Sequence, residues 1–415
     1  MAVFGQGYVG LSVASAAAGA GFDVVGIDTD AARVQALSAG RQPVPGVSAS
    51  EVAGAVATGR LSFTVDGAAC DDADVVLICV PTPIDGRLPD LSMVRAAAET
   101  IATHMKPGAL VVLESTTYAG TTDGVLAPIL EAAHRRVGDD FLLAFAPERI
   151  DPGNTTHAFH QIPRVVGGID QRSTDAAVAF YSCLVDRVHP VSSTRAAEQA
   201  KLLENTFRMV NIAMVNEFAM LCADQGIDAW EVIDAADTKP FGFMPFRPGP
   251  GVGGHCIPID PVYLTWQSRR DVGRPIRLVE LAQDINAEMP GWVIDRIAEA
   301  LNDRSRAVRG STVLVIGVAY KPDVGDLRES ASLQVLHGLQ RRGADVTYHD
   351  PLVPVLPDAG PLTSVELTDE ALAAADIVAV LTPHASIDLD RVVEHASLVF
   401  DARNATGGGP NVVRL

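Results

Sequence analysis

Residues 1–30 read MAVFGQGYVGLSVASAAAGAGFDVVGIDTD, and their order decides the fold. A short apolar strand runs into Gly5, Gly7 and Gly10, spaced as G-x-G-x-x-G. A small-residue helix follows, then a second apolar strand ending in Asp28, 18 residues beyond Gly10. Alone, three glycines at this spacing say little. Between a strand and a helix, with an acid at this distance, they form a dinucleotide-binding fingerprint. The first glycine permits the tight turn, the second lets a pyrophosphate approach the backbone, and the third lets helix and strand pack closely. The helix N-terminus attracts the phosphate charge. Asp28 is placed to accept hydrogen bonds from both ribose hydroxyls and to repel a 2′-phosphate. That favours NAD over NADP, a preference tempered by nearby Arg33.

Outward from this unit, apolar runs of strand length recur at 75–83, 109–116, 141–149 and 164–168, with helix-like stretches between most of them. Such alternation predicts a mostly parallel sheet. Three of these runs end in polar or proline-rich turns: PTP with Thr82, EST with Glu114 and Ser115, and PER with Glu148. Ligands of open α/β sheets sit off the carboxyl ends of strands, so these turns are where site residues are expected.

From about 195 to 226 neither glycine nor proline interrupts the chain until Gly226. This predicts a helix of some 30 residues, apolar over much of its surface. Glu198, Lys201, Asn205 and Arg208 step along it by three, four and three, one polar stripe expected to face a wet cleft. After 310 the opening pattern returns: STVLVIGVAYK is strand and turn, LQVLHGLQRRGADVTYHD is helix, strand and acid, and AADIVAVLTPH echoes DADVVLICVPTP. The turn AYKPDVGDLRES lacks the glycine fingerprint and offers Lys321, Asp326, Arg328 and Glu329 instead, which would suit a different nucleotide held by charges. The expected fold is α/β, two Rossmann-like doubly wound domains joined by a long central helix.

Composition narrows the function. A chain of 415 residues exceeds one ordinary core. A net charge of −19 argues against nucleic acid and anionic membrane as general partners. No apolar run has membrane-spanning length, and no basic stretch precedes an apolar core at the N-terminus. The five cysteines (70, 79, 183, 222 and 256) are scattered and lack metal-ligand spacing, as expected of a reduced, cytoplasmic protein without a metal site.

One of the five stands apart. Residues 248–261, PGPGVGGHCIPIDP, hold four glycines and four prolines around Cys256, with Asp260 four residues on. That composition rules out the interior of a helix or a central strand. Most cysteines are small buried core residues, but Cys256 lacks the apolar neighbours that Cys79 has in VVLICVP. A nicotinamide site combined with an accessible thiol suggests a specific chemistry. An aldehyde carries no carbinol hydrogen to give up as hydride until a nucleophile adds to it. A thiolate supplies that adduct, a thiohemiacetal, whose oxidation gives a thioester that water hydrolyses. One site could thus take a primary alcohol to an acid. Gly251, Gly253 and Gly254 would let substrate approach the sulfur. Asp260 and Glu148 are candidates for proton handling or water positioning. Lys201, with Asn205, is the candidate to stabilise oxyanions. Two competitors stay open: a two-electron hydroxy acid dehydrogenase indifferent to Cys256, and a non-enzymatic nucleotide sensor.

GQGYVG, CVPTP, EST, APERIDPGN, VVGG, AEQAKLLENTFRMVNIAMVNE, PGPGVGGHCIPIDP, GVAYKPDVGDLRES and DARN together resemble the UDP-glucose/GDP-mannose dehydrogenase family, essentially end to end. The resemblance implies an NAD-binding domain (1–190), a central helical dimerisation domain carrying the cysteine loop (191–295) and a C-terminal nucleotide-sugar-binding domain (296–415). It implies a cytoplasmic homodimer that oxidises C6 of a UDP-sugar for polysaccharide biosynthesis. The nucleophile falls on Cys256, with Asp260, Lys201, Asn205, Glu148 and Thr116 around it. NAD contacts fall on Gly5, Gly7, Tyr8, Val9, Gly10, Asp28, Arg33, Thr82 and Arg328. Substrate contacts fall on Glu148, Arg149, Lys201, Asn205, Arg247, Gly253 and Lys321. Ile259 stands where UDP-glucose enzymes usually carry lysine. With KPFGFMPFRPGPG, this resembles the branch acting on UDP-N-acetylhexosamines, UDP-N-acetylglucosamine foremost, with UDP-glucose and UDP-N-acetylmannosamine as alternatives. Where many members carry an arginine that reaches the partner subunit, this chain has Lys239 and Pro240, with Arg247 nearer the cysteine.

Overall fold

The computed structural model describes residues 1–41, 47–86, 88–132, 134–149, 157–357 and 362–415. The 150–154 end of the APERIDPGN motif lies outside them. Two compact units divide the chain: Met1–Glu204 with Val262–Arg274, and Asn205–Pro261 with Pro275–Leu415. Residues 191–295, the expected central segment, are shared between the two.

In the first unit, six strands lie side by side in the order Leu61–Thr64, Val24–Ile27, Ala2–Phe4, Val75–Ile78, Leu110–Leu113, Leu142–Phe145. All their pairings are parallel. The order reverses between Ala2–Phe4 and Val75–Ile78, the switch point of a doubly wound sheet. Arg164–Gly168 then joins antiparallel to Leu142–Phe145, and Val188–Pro190 pairs parallel with it at the edge. Alternate strand residues enter opposite cores: Phe4, Ile78, Leu113 and Phe145 on one face, Val3, Leu77, Val112 and Ala144 on the other. Both faces are covered, which is why the central strands read as unbroken apolar runs.

The second unit carries five parallel strands in the order Asp345–His349, Thr312–Ile316, Ile377–Val380, Val399–Asp401, Val412–Arg414. This is the other common doubly wound order, with its switch point between Thr312–Ile316 and Ile377–Val380. Met289, Val293, Ile297 and Leu301 of the helix Arg277–Asp303 pack against its core. The helix tolerates Pro290 inside it. The expected long helix spans Thr194–Asp224, 31 residues, and ends before Gly226, whose φ of 68° lets the chain turn away.

Candidate functional site

The glycine turn fits the roles read from its spacing. Gly5 has φ 87°, and a Cβ there would lie 2.5 Å from the Cys79 carbonyl oxygen. A Cβ on Gly10 would meet the Gly5 carbonyl oxygen at 1.8 Å, so the helix Tyr8–Gly19 can sit this close only with glycine. A Cβ on Gly7 would meet nothing within 4 Å, leaving open space where the fingerprint puts pyrophosphate. No side chain caps that helix at Gly7, which leaves its first N–H groups for an anion. Buried Asp28 is already oriented: Oδ2 accepts from Gln6 N at 2.7 Å and Arg33 Nη1 at 2.9 Å, and Oδ1 from Asp30 N at 2.9 Å. This arrangement fits the adenosine and pyrophosphate end of NAD.

The strand-end turns are tied together. Thr82 Oγ1 donates to the Thr116 carbonyl at 2.7 Å, and Ser115 Oγ to the Val80 carbonyl at 2.7 Å. The buried Tyr263 hydroxyl donates to the Thr82 carbonyl at 2.6 Å. At the PER turn, Arg164 Nη1 donates to the Pro147 carbonyl at 3.0 Å and to Glu148 Oε2 at 2.9 Å. Glu148 Oε1 accepts from Arg149 N at 2.6 Å. Lys201 Nζ donates to the Glu148 carbonyl at 2.5 Å. The expected substrate residue Arg149 is itself a strut, bound to Glu204 and to the Pro163 carbonyl.

Behind Glu148 lies a buried ionic cluster. Arg164 also faces Glu114 at 3.7 Å, and the Tyr181 hydroxyl donates to Glu114 Oε1 at 2.5 Å. Burial pushes the Glu114 carboxyl up to about 7, despite the Arg164 charge. Burial pulls the Arg164 guanidinium down, but Glu148 and Glu114 outweigh it and hold it above its ordinary value. Glu198 is likewise pushed up to about 7 by burial, although it accepts from Gly120 N, Thr122 N and Thr122 Oγ1.

The expected wet stripe on the long helix is therefore a set of struts. Glu198, Lys201 and Asn205 are buried and engaged, and only Arg208 is exposed. Short loops without caps of their own recruit those side chains, which periodicity alone cannot reveal.

In the second unit, Asn205 Nδ2 donates to Asp260 Oδ2 at 2.5 Å, and Asp260 N donates to the Cys256 carbonyl at 2.8 Å. Asp260 begins the helix Asp260–Val272, so the thiol sits one turn before it, partly exposed. The loop's glycines serve packing more than was expected of them. A Cβ on Gly253 would lie 2.7 Å from the Glu329 carbonyl oxygen, and one on Gly254 2.8 Å from the Tyr320 ring. Gly254 N donates to the Arg328 carbonyl at 3.0 Å. The charged turn of the second unit thus lies directly against the cysteine loop. Asp326 grips Arg328 in a fork. That grip, with the Cys256 charge among further contributors, raises the guanidinium above its ordinary value. Arg328 belongs to this unit, and the other expected cofactor residues belong to the first. Arg247 is no free arm: Nη1 lies 2.5 Å from Asp234 Oδ1 and the guanidinium rests over Trp230. Lys321 Nζ rests over the Tyr320 ring.

Sequence reading missed three residues. Arg164 and Tyr181 looked like ordinary strand and helix residues, respectively. Arg403, in DARN, packs on Gly249, where a Cβ would lie 2.3 Å from Nη1. Burial lowers its guanidinium to about 10. An arginine beginning a wholly buried strand was the available signal for Arg164.

Three family models match in succession: the NAD binding domain of the UDP-glucose/GDP-mannose dehydrogenase family at residues 1–185, its central domain at 195–288 and its UDP binding domain at 314–408. The chain belongs to this family. Like its relatives, this dehydrogenase is an NAD-dependent enzyme acting on nucleotide sugars. It is 36% identical to the UDP-N-acetyl-D-mannosamine dehydrogenase of Escherichia coli over 97% of this chain and 98% of that one. It is 35% identical to the NDP-N-acetyl-D-galactosaminuronic acid dehydrogenase of Ralstonia nicotianae over 97% and 95%. A solved UDP-D-ManNAc dehydrogenase from Pyrococcus horikoshii superposes with a TM-score of 0.90 at 31% identity, covering 100% of this chain and 98% of that one. Among the described residues no helix is long and apolar enough to cross a membrane, and no cluster of three or more His, Cys, Asp or Glu could hold a metal.

Proposed function

We propose that the enzyme oxidises the C6 alcohol of a UDP-N-acetylhexosamine to the carboxylate in two hydride transfers, with Cys256 as covalent nucleophile. The observation that carries this reading is the partly exposed Cys256 thiol on a glycine-built loop, one helical turn before an Asp260 held by Asn205. Among the sugars, UDP-N-acetylmannosamine takes precedence over the UDP-N-acetylglucosamine expected from the sequence. The printed names of the relatives in Escherichia coli and Pyrococcus horikoshii support that order.

NAD supplies the hydride acceptor for both oxidations. The residues do the rest. Lys201 offers its ammonium to the alkoxide as the C6 alcohol loses its proton and becomes an aldehyde. The Cys256 sulfur then bonds to C6, and the aldehyde oxygen takes a proton, giving a thiohemiacetal. Loss of the second C6 hydrogen as hydride, together with the hydroxyl proton, leaves a thioester on Cys256. Glu148 orients a water that attacks it; the C–O bond forms, the C–S bond breaks, and the thiol and a carboxylate are released. Alcohol, water and two NAD⁺ become carboxylate, two NADH and three protons. Asp260, its carboxylate oriented by Asn205, takes the proton that the C6 alcohol gives up. Arg403, a cation largely stripped of solvent, and Lys321 suit the diphosphate of the substrate.

The test mixes enzyme, UDP-N-acetylmannosamine or its glucosamine epimer, and NAD⁺, and counts NADH per sugar with product mass. Two NADH and a uronic acid are expected, and Cys256→Ala should abolish acid formation. One NADH per sugar, or an active Cys256→Ala, overturns the mechanism.

A homodimer is part of the same proposal. Phe207, Met214 and Leu221 are exposed at seven-residue steps along the long helix, with Phe218 beside them. A seven-residue apolar repeat on an exposed helix face is what pairs helices. Light scattering should give twice the chain mass, and Met214→Glu with Leu221→Glu should halve it. A monomeric wild type removes the dimer.

A further inference from the structure

The cluster behind the PER turn has no part in the scheme so far. Arg164 is 3% exposed and Glu114 1%. A buried cation between two carboxylates is costly to desolvate, and is kept where it fixes a geometry. Three observations show which geometry this is. Arg164 Nη1 reaches the Pro147 carbonyl and the Glu148 carboxylate together, so one group clamps both the backbone and the side chain of the turn. It lies 2.9 Å from Glu148 but 3.7 Å from Glu114, so it favours the PER carboxylate. Its guanidinium carbon lies over both the Phe159 and Tyr181 rings, 5.6 and 5.1 Å from their centroids, so aromatic faces as well as carboxylates hold it.

The geometry points to Arg164 as the positioning residue of the hydrolytic half of the reaction: it aims the Glu148 carboxylate at water, while Glu114, bonded to Tyr181, backs the guanidinium from behind. This rests on the reading that Glu148 orients the water which cleaves the thioester. Glu114 also faces the buried Cys79 thiol, whose own titration burial and Glu114 push upward. Arg164, Tyr181, Cys79 and Glu148 are thus the titratable groups around Glu114.

Arg164 touches no reacting atom in this scheme, so its loss should spare both hydride transfers and slow only hydrolysis. Acid-quenched time courses with intact-protein mass spectrometry separate these steps: NADH burst against the acyl adduct on Cys256. Arg164→Met should give a normal burst, unchanged KM for NAD, an accumulating adduct and hydrolysis slower by roughly 100-fold, the scale of a misplaced catalytic group. Arg164→Lys, which keeps the charge and is the safer variant for folding, should recover roughly 10-fold of that loss. Glu148→Gln should accumulate the same adduct, and adding Arg164→Lys to it should change nothing more. If Glu148→Gln hydrolyses at the wild-type rate, the Glu148 reading fails and takes this proposal with it. If Glu148→Gln accumulates adduct but Arg164→Lys hydrolyses at the wild-type rate, or slows burst and hydrolysis alike, the Glu148 reading survives and Arg164 is merely structural.

Discussion

Asn205 donates its amide to the Asp260 carboxylate at 2.5 Å, joining the long helix to the first residue of the helix that follows Cys256. The contact makes Asp260 an acceptor whose orientation is set from outside its own loop. Asp260→Asn still offers an amide oxygen to Asn205 and removes only the carboxylate's capacity to take a proton. Steady-state kinetics should show kcat lowered by roughly 100-fold or more, within the range for lost proton-handling groups. The wild-type rate of Cys256 alkylation should persist, because the thiol's loop is still anchored by Gly254 on Arg328. An unchanged kcat would remove Asp260 from the machinery.

Asp28 and Arg33 give a test of cofactor choice. Arg33 Nη1 lies 2.9 Å from Asp28 Oδ2, so the acid engages the arginine's charge. Asp28→Ser should cost NAD roughly 10- to 100-fold in kcat/KM, the scale of a charge-assisted hydrogen bond or two. It should also release Arg33 to meet a 2′-phosphate. The ratio of kcat/KM for NADP over NAD should rise; a ratio that stays flat would show that the turn itself, not the acid, discriminates.

The fold was legible because its signals are local. Glycine spacing, strand-length apolar runs and an uninterrupted helix each depend on a few neighbouring residues, and Gly5, Gly10 and Thr194–Asp224 stand where they were expected. The site was legible only in part. Cys256 announced itself through an unusual loop, but the partners of Lys201 and Glu198 are carbonyl and N–H groups 53 and 76 to 78 residues away. Nothing in composition or periodicity specifies such pairings. The glycines around Cys256 were read as clearance for substrate, because the sequence could not show Tyr320, Arg328 and Glu329 pressed against them.

Glu114 should leave a mark on stability. Its folded titration, pushed up to about 7 by burial, lies above the ordinary value of 4.5. A carboxyl raised in the folded state contributes stability fully below the unfolded value, and loses it as pH climbs towards the folded one. Between about pH 4.5 and 7 this group should therefore cost the fold about 3 kcal/mol, an order-of-magnitude figure for a buried group beside other charges. Glu114→Gln removes that dependence. Urea midpoints at pH 5 and pH 8 should fall less in the variant than in the wild type. Parallel declines would mean that Glu114 is ionised throughout, with Arg164 shared equally between its two carboxylates.

Gly254 tests the seat of the thiol. Its φ is 88°, a region that a side chain enters at a cost of about 1–3 kcal/mol. An added Cβ would also meet three Tyr320 ring atoms at 2.8 to 3.2 Å, and the ring belongs to the turn that pairs with the loop through Arg328. Strain and clash act on the same segment, so the loop must lift away from the turn or the turn must move. Gly254→Ala should lower the unfolding midpoint, and it should cut kcat more than it raises the KM for NAD, since the glycine turn at Gly5–Gly10 is a separate structure. Tyr320→Ala removes the clash but not the positive φ. The double variant should recover part of the lost activity, the part due to ring contact. If Gly254→Ala matches the wild type in both midpoint and kcat, the cysteine loop is not held by the second unit's charged turn, and the orientation of Cys256 needs another support.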